Sequence, residues 1–255
     1  VGWATVGAGN FISGNGGNGV RIWGGVLAEG NQLEGNQIGG PVGSAYLFAG
    51  NGADGVFISK ARDTRLAGNV VTRNRGWGVA IHGAGTTGSQ LQGNLVGTDQ
   101  GGNPLPNGQG GVLVDEASDT LVGGTTTPAR NVIAGNDGTG VVIAGAAARR
   151  NTVQGNLIGL TADESTILAN QGDGVFVLNA VENSVAGNVI AGNSGSGVGI
   201  RYVGYEEKGN EVWGNQIGAP GMGNAGHGIY IEGDFNIIGG DTLDRRNAIA
   251  GNGGS

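Results

Sequence analysis

The sequence predicts an all-β protein, a single-stranded parallel β-helix: a three-sided solenoid of about eight to nine coils in a four-coil super-repeat. Three observations lead there. Glycine supplies 59 of 255 residues at uneven spacing while proline supplies only 5, which excludes collagen. Hydrophobic residues make up 38% and charged residues 13%, a balance too apolar for a disordered chain. One phrase, Asn, any residue, aliphatic, any residue, Gly, Asn, recurs as Asn10-Phe-Ile-Ser-Gly-Asn15, Asn131-Val-Ile-Ala-Gly-Asn136, Asn188-Val-Ile-Ala-Gly-Asn193 and Asn247-Ala-Ile-Ala-Gly-Asn252.

Each coil reads as three short strands. Strand one opens at Asn31, Thr64, Ser89, Thr120, Asn151, Asn183, Asn210 and Asn236. Strand two opens on Asn every time, at Asn10, Asn36, Asn69, Asn94, Asn131, Asn156, Asn188, Asn215 and Asn247. Strand three is a Gly-Val/Ile-x-Ile/Val phrase with its first aliphatic at Val20, Val56, Val79, Val112, Val141, Val175, Val198 and Ile229, and an Asn stands five residues before each. Strands of about four residues bury nothing alone; stacked in register at ~4.8 Å per step they form aliphatic columns inside and Asn ladders at the corners. Gly-rich corners supply the positive φ that the turns need.

A longer rhythm lies on top. Asn10 to Asn131 is 121 residues and Asn131 to Asn247 is 116, the span of four coils. Segments between strands two and three lengthen in alternate coils, at Gly39–Gly50, Gly97–Pro106, Gly159–Ala169 and Gly218–Gly223; segments between strands one and two lengthen every fourth coil, at Trp3–Gly9, Thr125–Arg130 and Asp241–Arg246. No linker or composition break divides the chain, so residues 1–255 read as one domain. Its ends fall inside a coil at nearly the same phase, so the expectation is a section of a longer array, or a unit that stacks end to end with copies of itself.

Composition bounds function. The net charge of −7, without a Lys/Arg cluster, argues against nucleic-acid and anionic-membrane surfaces. Zero Cys excludes disulfides and thiolate sites, two His leave little for zinc, and no apolar run is long enough to span a membrane. No metal or cofactor is expected.

The Asn/Gly/Val/Ile phrases resemble the repeats of the pectate-lyase-like superfamily, closest to NosD-like, carbohydrate-associated arrays and to bacterial surface proteins. The resemblance covers nearly the whole chain and implies right-handed coiling and an extracellular or cell-surface setting. It carries over no catalytic residue. Gly226-His227-Gly228 is similar to the Gly-His-Gly of polygalacturonases, but the companion Asn-Thr-Asp, Asp-Asp and Arg-Ile-Lys runs are absent, and His227 occupies a slot filled elsewhere by Asn18, Asp54, Trp77, Gly110, Thr139, Asp173 and Ser196. The Asp-Pro-His-Glu run of mannuronan epimerases is missing too. Asp54 and Asp173 share that slot four coils apart, ~19 Å, too far to cooperate in Ca²⁺-assisted lyase chemistry.

Stacking leaves one catalytic candidate. Just after strand three, successive coils bring together Ser59-Lys60, His82 and Asp115-Glu116, where a His beside an Asp could act as general base. The competing reading is a solvated corner. Outward slots of strand three (Arg21, Phe57, Leu113, Phe176, Tyr230 among them) and of strand two (Phe11, Val70, Leu95, Val132, Leu157 and Val189) are partly apolar, whereas strand-one outward slots such as Gln32, Glu34, Gln90 and Gln154 are polar. Either the alternating loops fold back over the apolar faces, or the stripe contacts a glycan through Phe57, Phe176 and Tyr230, or a neighbouring rod. The function expected first is a non-catalytic structural or adhesive solenoid; the alternatives are a polysaccharide-acting lyase, epimerase or hydrolase, and a glycan-binding module.

Overall fold

The computed structural model describes residues 9–24, 28–40, 50–202 and 208–254. Within them the chain winds through three parallel sheets. Sheet one holds the first strand of each coil, from Gln32–Glu34 to Ile237–Ile238; sheet two holds the second, from Phe11–Ile12 to Ala248–Ile249. Sheet three runs through Val20–Trp23, Val56–Ser59, Trp77–His82, Gly110–Asp115, Thr139–Ala144, Val175–Leu178, Val198–Arg201 and Ile229–Glu232. Three of these strands have six residues rather than the expected four, because Trp77, Gly110 and Thr139 pair across successive coils and extend the ladder.

Inward slots stack like on like. Val56, Val79, Val112, Val141, Val175 and Val198 form one column, all at most 1% exposed, and Ile38, Val71, Val96, Ile133, Ile158 and Ile190 another. At about 25 cal/mol per Å² these columns supply the main favourable term of folding. A coil cannot bury them without its neighbours, so stability is passed from coil to coil.

The corners are held by amide ladders. Asn156 is fully buried: its Oδ1 accepts from Asn131 Nδ2 (2.9 Å), and its Nδ2 donates to Asn188 Oδ1 (3.0 Å) and to the Val122 carbonyl (2.9 Å). The interior ladder Asn residues therefore satisfy buried backbone on the coils beside them, which is why the slot at the start of strand two is invariant within this chain. Preceding glycines such as Gly155 (φ +67°) make the turn, and a Cβ there would meet the Gly124 carbonyl at 2.1 Å.

Loops settle the fate of one apolar face. On sheet two the outward Val70, Leu95, Val132 and Leu157 are buried, together with Leu105 and Leu160 from the loops between strands two and three. Those loops return as short antiparallel bridges, Thr98 to Pro104 and Leu160 to Ile167, and Leu168 packs onto the cluster. The Gly97–Pro106 and Gly159–Ala169 segments thus cover sheet two; most of the Gly39–Gly50 and Trp3–Gly9 segments lies outside the described residues. Sheet three keeps Phe57, Leu113, Val142 and Phe176 half-exposed. The two described strand-one-to-two insertions each carry a 3₁₀ turn, Thr127–Ala129 and Leu243–Arg245, which the repeat phrases do not announce.

Candidate functional site

Register brings two of the four catalytic candidates together. His82 lies opposite Asp115 on the next strand of sheet three, and its Nδ1 is 2.9 Å from Asp115 Oδ2. On the other side Ser59 pairs with His82, and the Phe57 ring stacks on the imidazole at 5.3 Å between centroids. A carboxylate on Nδ1 fixes the tautomer and leaves Nε2 free to take or give a proton.

Lys60 and Glu116 do not join them. Both occupy the slot after strand three, where the backbone is left-handed (φ +51° and +55°), as it is at Gly83, Gly145 and Asn179 in the same slot of other coils. That conformation turns the side chain out of the column. Lys60 Nζ sits 5.9 Å from the centre of the Trp23 ring, and Glu116 Oε2 accepts from the Ala147 amide at 2.7 Å, pinning a loop instead of facing His82. Gly and Asn in that slot are the sequence signal that foretells the turn.

A further carboxyl on this face is Asp54. Its Oδ1 accepts from the Trp77 amide at 2.8 Å, and burial holds its pKa above the ordinary carboxylate value, while the His82 charge pulls it back. Asp173 repeats the arrangement four strands on, accepting from the Ser196 amide at 2.6 Å and raised by burial in the same way. Desolvation disfavours the ionised form at both.

The aromatic candidates share the face without forming one cluster. Phe57 stands four strand steps, ~19 Å, from Phe176, and Phe176 two steps, ~10 Å, from Tyr230. Small residues let the rings lie down: outward Ala80, opposite Phe57, is fully buried, and a Cβ on Gly199 would come within 2.9 Å of the Phe176 ring. Tyr230 stacks on His227 at 5.7 Å and is 45% exposed. The arrangement can stack a flat ring at two separate places.

Family models give two matches: "Right handed beta helix region" over residues 4–159, and "Periplasmic copper-binding protein (NosD)" over residues 100–220. The copper in the second description finds no fitting donor set here. The chain has no Cys, its two His lie in coils five steps apart, and no group of three His, Cys, Asp or Glu among the described residues could hold a metal ion. Comparison with curated proteins returns no match.

Solved structures give the same fold. The A-module of Azotobacter vinelandii mannuronan C-5 epimerase AlgE6 aligns with TM-score 0.62 and 18% identity, over 96% of this chain and 56% of that one. The periplasmic alginate epimerase AlgG aligns with TM-score 0.52 and 18% identity, over 78% and 47%. The catalytic unit of an α-1,3-glucanase from Streptomyces thermodiastaticus strain HF3-3 aligns with TM-score 0.51 and 16% identity, over 96% and 43%. The chain thus spans less than two thirds of each of these structures. Three parallel sheets wound in sequence order, and a family match over more than half the residues, establish that this chain belongs to the right-handed parallel β-helix family.

Proposed function

We propose that the chain is a non-catalytic structural or adhesive β-helix rod that works outside the cytoplasm, at the cell surface or in the extracellular space. One observation carries this reading. Of the acid–base candidates on sheet three, only His82 and Asp115 meet; Lys60 and Glu116 are directed elsewhere, and the imidazole lies against Phe57. Proton transfer at a sugar carbon or glycosidic oxygen requires a second group positioned across the substrate. Among the described residues, the Gly97–Pro106 and Gly159–Ala169 loops lie over sheet two and not along sheet three. An extracytoplasmic setting is supported by the NosD description and by AlgG, both named periplasmic. Partners that fit are a polysaccharide lying on the aromatic face, or copies of this rod end to end.

A second reading, a polysaccharide-acting enzyme, is favoured by the 2.9 Å His82–Asp115 pair and by the activities named for the solved neighbours. Incubation with polymannuronate, polygalacturonate and α-1,3-glucan separates the two. The expected result is unchanged polymer by NMR and size-exclusion chromatography. Epimerised, unsaturated or shortened products that vanish in His82→Ala or Asp115→Ala would establish the enzyme instead.

A further inference from the structure

The corner between sheets one and two holds a cavity that no part of the reading above uses. It measures about 650 Å³, within the range of small-molecule sites. Residues 126–130, which include the 3₁₀ turn, form one side of it, and the coils that carry Gly35, Gly68 and Gly93 form the other. Gln92 and Ala129 face the space, and Val132 and Leu157 give it an apolar floor. Two guanidinium groups line its walls, each held by a carboxylate: Arg65 by Glu34, and Arg130 by Glu164.

The second four-coil unit reveals what this space accommodates. Counting from the ladder Asn residues, Gln92 corresponds to Trp213, each two residues before its Asn (Asn94 and Asn215), and Ala129 corresponds to Arg245, each two before its Asn (Asn131 and Asn247). The coils meet there in the same register, the Gly214 amide donating to the Arg245 carbonyl at 3.1 Å as the Gly93 amide donates to the Ala129 carbonyl at 3.1 Å. There the chain fills the corner itself. The Trp213 indole lies 5.1 Å from the Arg245 guanidinium, and Glu211 holds that guanidinium in place. The two residues that plug the second corner are the ones whose small or flexible counterparts leave the first one open.

We propose that the first-unit corner is a binding site for an uncharged planar aromatic ring of indole size. Each guanidinium there is already neutralised by a carboxylate, so the site has no surplus charge for an ionic ligand. A guanidinium fixed by a carboxylate is the group that faces the ring in the second unit, and the first unit presents two of them around an apolar floor. Such a ring could be a free small aromatic or the Trp side chain of another polypeptide. The site is remote from sheet three and independent of whether that face is catalytic.

Saturation-transfer NMR and calorimetry with indole test it, beside a Gly-Trp-Gly tripeptide blocked at both ends and cellobiose. Indole binds the native chain saturably at one site. The double variant Gln92→Trp/Ala129→Arg, which copies the plug into the first corner, weakens binding at least tenfold while the melting temperature does not fall. The reciprocal Trp213→Gln/Arg245→Ala opens the second corner and raises the stoichiometry towards two. Tripeptide binding that competes with indole assigns the ring to a polypeptide; its absence assigns it to a small aromatic. No saturable indole binding, binding indifferent to the plug, or cellobiose displacing indole from the site would overturn the proposal.

Discussion

The corner that opens strand one is built in two ways within one molecule. In the second four-coil unit it is an Asn ladder. Asn183 Oδ1 accepts from Asn151 Nδ2 (3.0 Å), and Asn183 Nδ2 donates to Asn210 Oδ1 (3.2 Å) and the Ala148 carbonyl (2.9 Å). In the first unit, after Asn31, the same slot holds Thr64, Ser89 and Thr120, all buried, and their hydroxyl oxygens have no partner among the described residues. Neighbouring side chains take up part of the task on the outside of this corner: Thr87 and Ser118 hydroxyls donate to Asp119, which Arg150 grips through two nitrogens. A hydroxyl fills the slot; an amide fills it and also ties three coils together. The difference separates what volume contributes from what hydrogen bonding contributes, in the same fold and register.

Breaking the uninterrupted strand-two ladder sets the upper bound. Asn156→Leu leaves Asn131 Nδ2, Asn188 Oδ1 and the Val122 carbonyl short of a partner, all buried, at ~1–3 kcal/mol per orphaned group. Urea unfolding is expected to show a loss on the order of 3–5 kcal/mol, with local exchange protection falling in the coils on both sides. Asn183→Thr converts the second unit to the first-unit corner and strands the Ala148 carbonyl and Asn151 Nδ2, so a smaller loss, ~1–3 kcal/mol, is expected.

The outer network at the first-unit corner gives a weaker, pH-dependent effect. Hydrogen bonding to Arg150, above all, holds the Asp119 carboxyl down from 3.8 to about 2. A folded-state pKa below the unfolded one means that the stabilisation is complete above about pH 4 and is lost as pH falls through 2. The side chain is 39% exposed, so solvent screening leaves it worth under ~1 kcal/mol. Asp119→Asn is expected to lower the melting temperature slightly at pH 7 and to leave it unchanged below about pH 2, which flattens the acid limb of the profile. Smallest of all is Thr120→Val: the hydroxyl it removes makes no bond, so the melting temperature should move by less than the equivalent of ~0.5 kcal/mol.

The solenoid was legible in the sequence because each coil meets its own likeness. Asn156 contacts Asn131 and Asn188, and Val112 contacts Val79 and Val141, so the repeated identity is itself the contact map. The His82–Asp115 pair followed from the same stacking. The absence of Lys60 and Glu116 from that pair did not, because it depends on a left-handed slot that reads only through Gly83, Gly145 and Asn179 in other coils. Coverage of sheet two does not read from the repeat, since where Leu105, Leu160 and Leu168 land is decided by loop closure and not by periodicity. The corner cavity is not legible in the repeat for a related reason: it rests on a difference between units, Gln92 and Ala129 against Trp213 and Arg245, and not on what the coils share.

The central claim is that amide ladders at the corners, and not aliphatic columns alone, hold the coils together. Thr64→Asn/Ser89→Asn/Thr120→Asn extends the second-unit ladder through the first, in slots of the same register, at a gain of ~0.5–1.5 kcal/mol per new bond. At about 2–4 °C per kcal/mol for a chain of this size, thermal unfolding of the triple variant should rise by several degrees. An unchanged or lowered melting temperature, in a variant whose circular dichroism matches the native chain, would contradict the account.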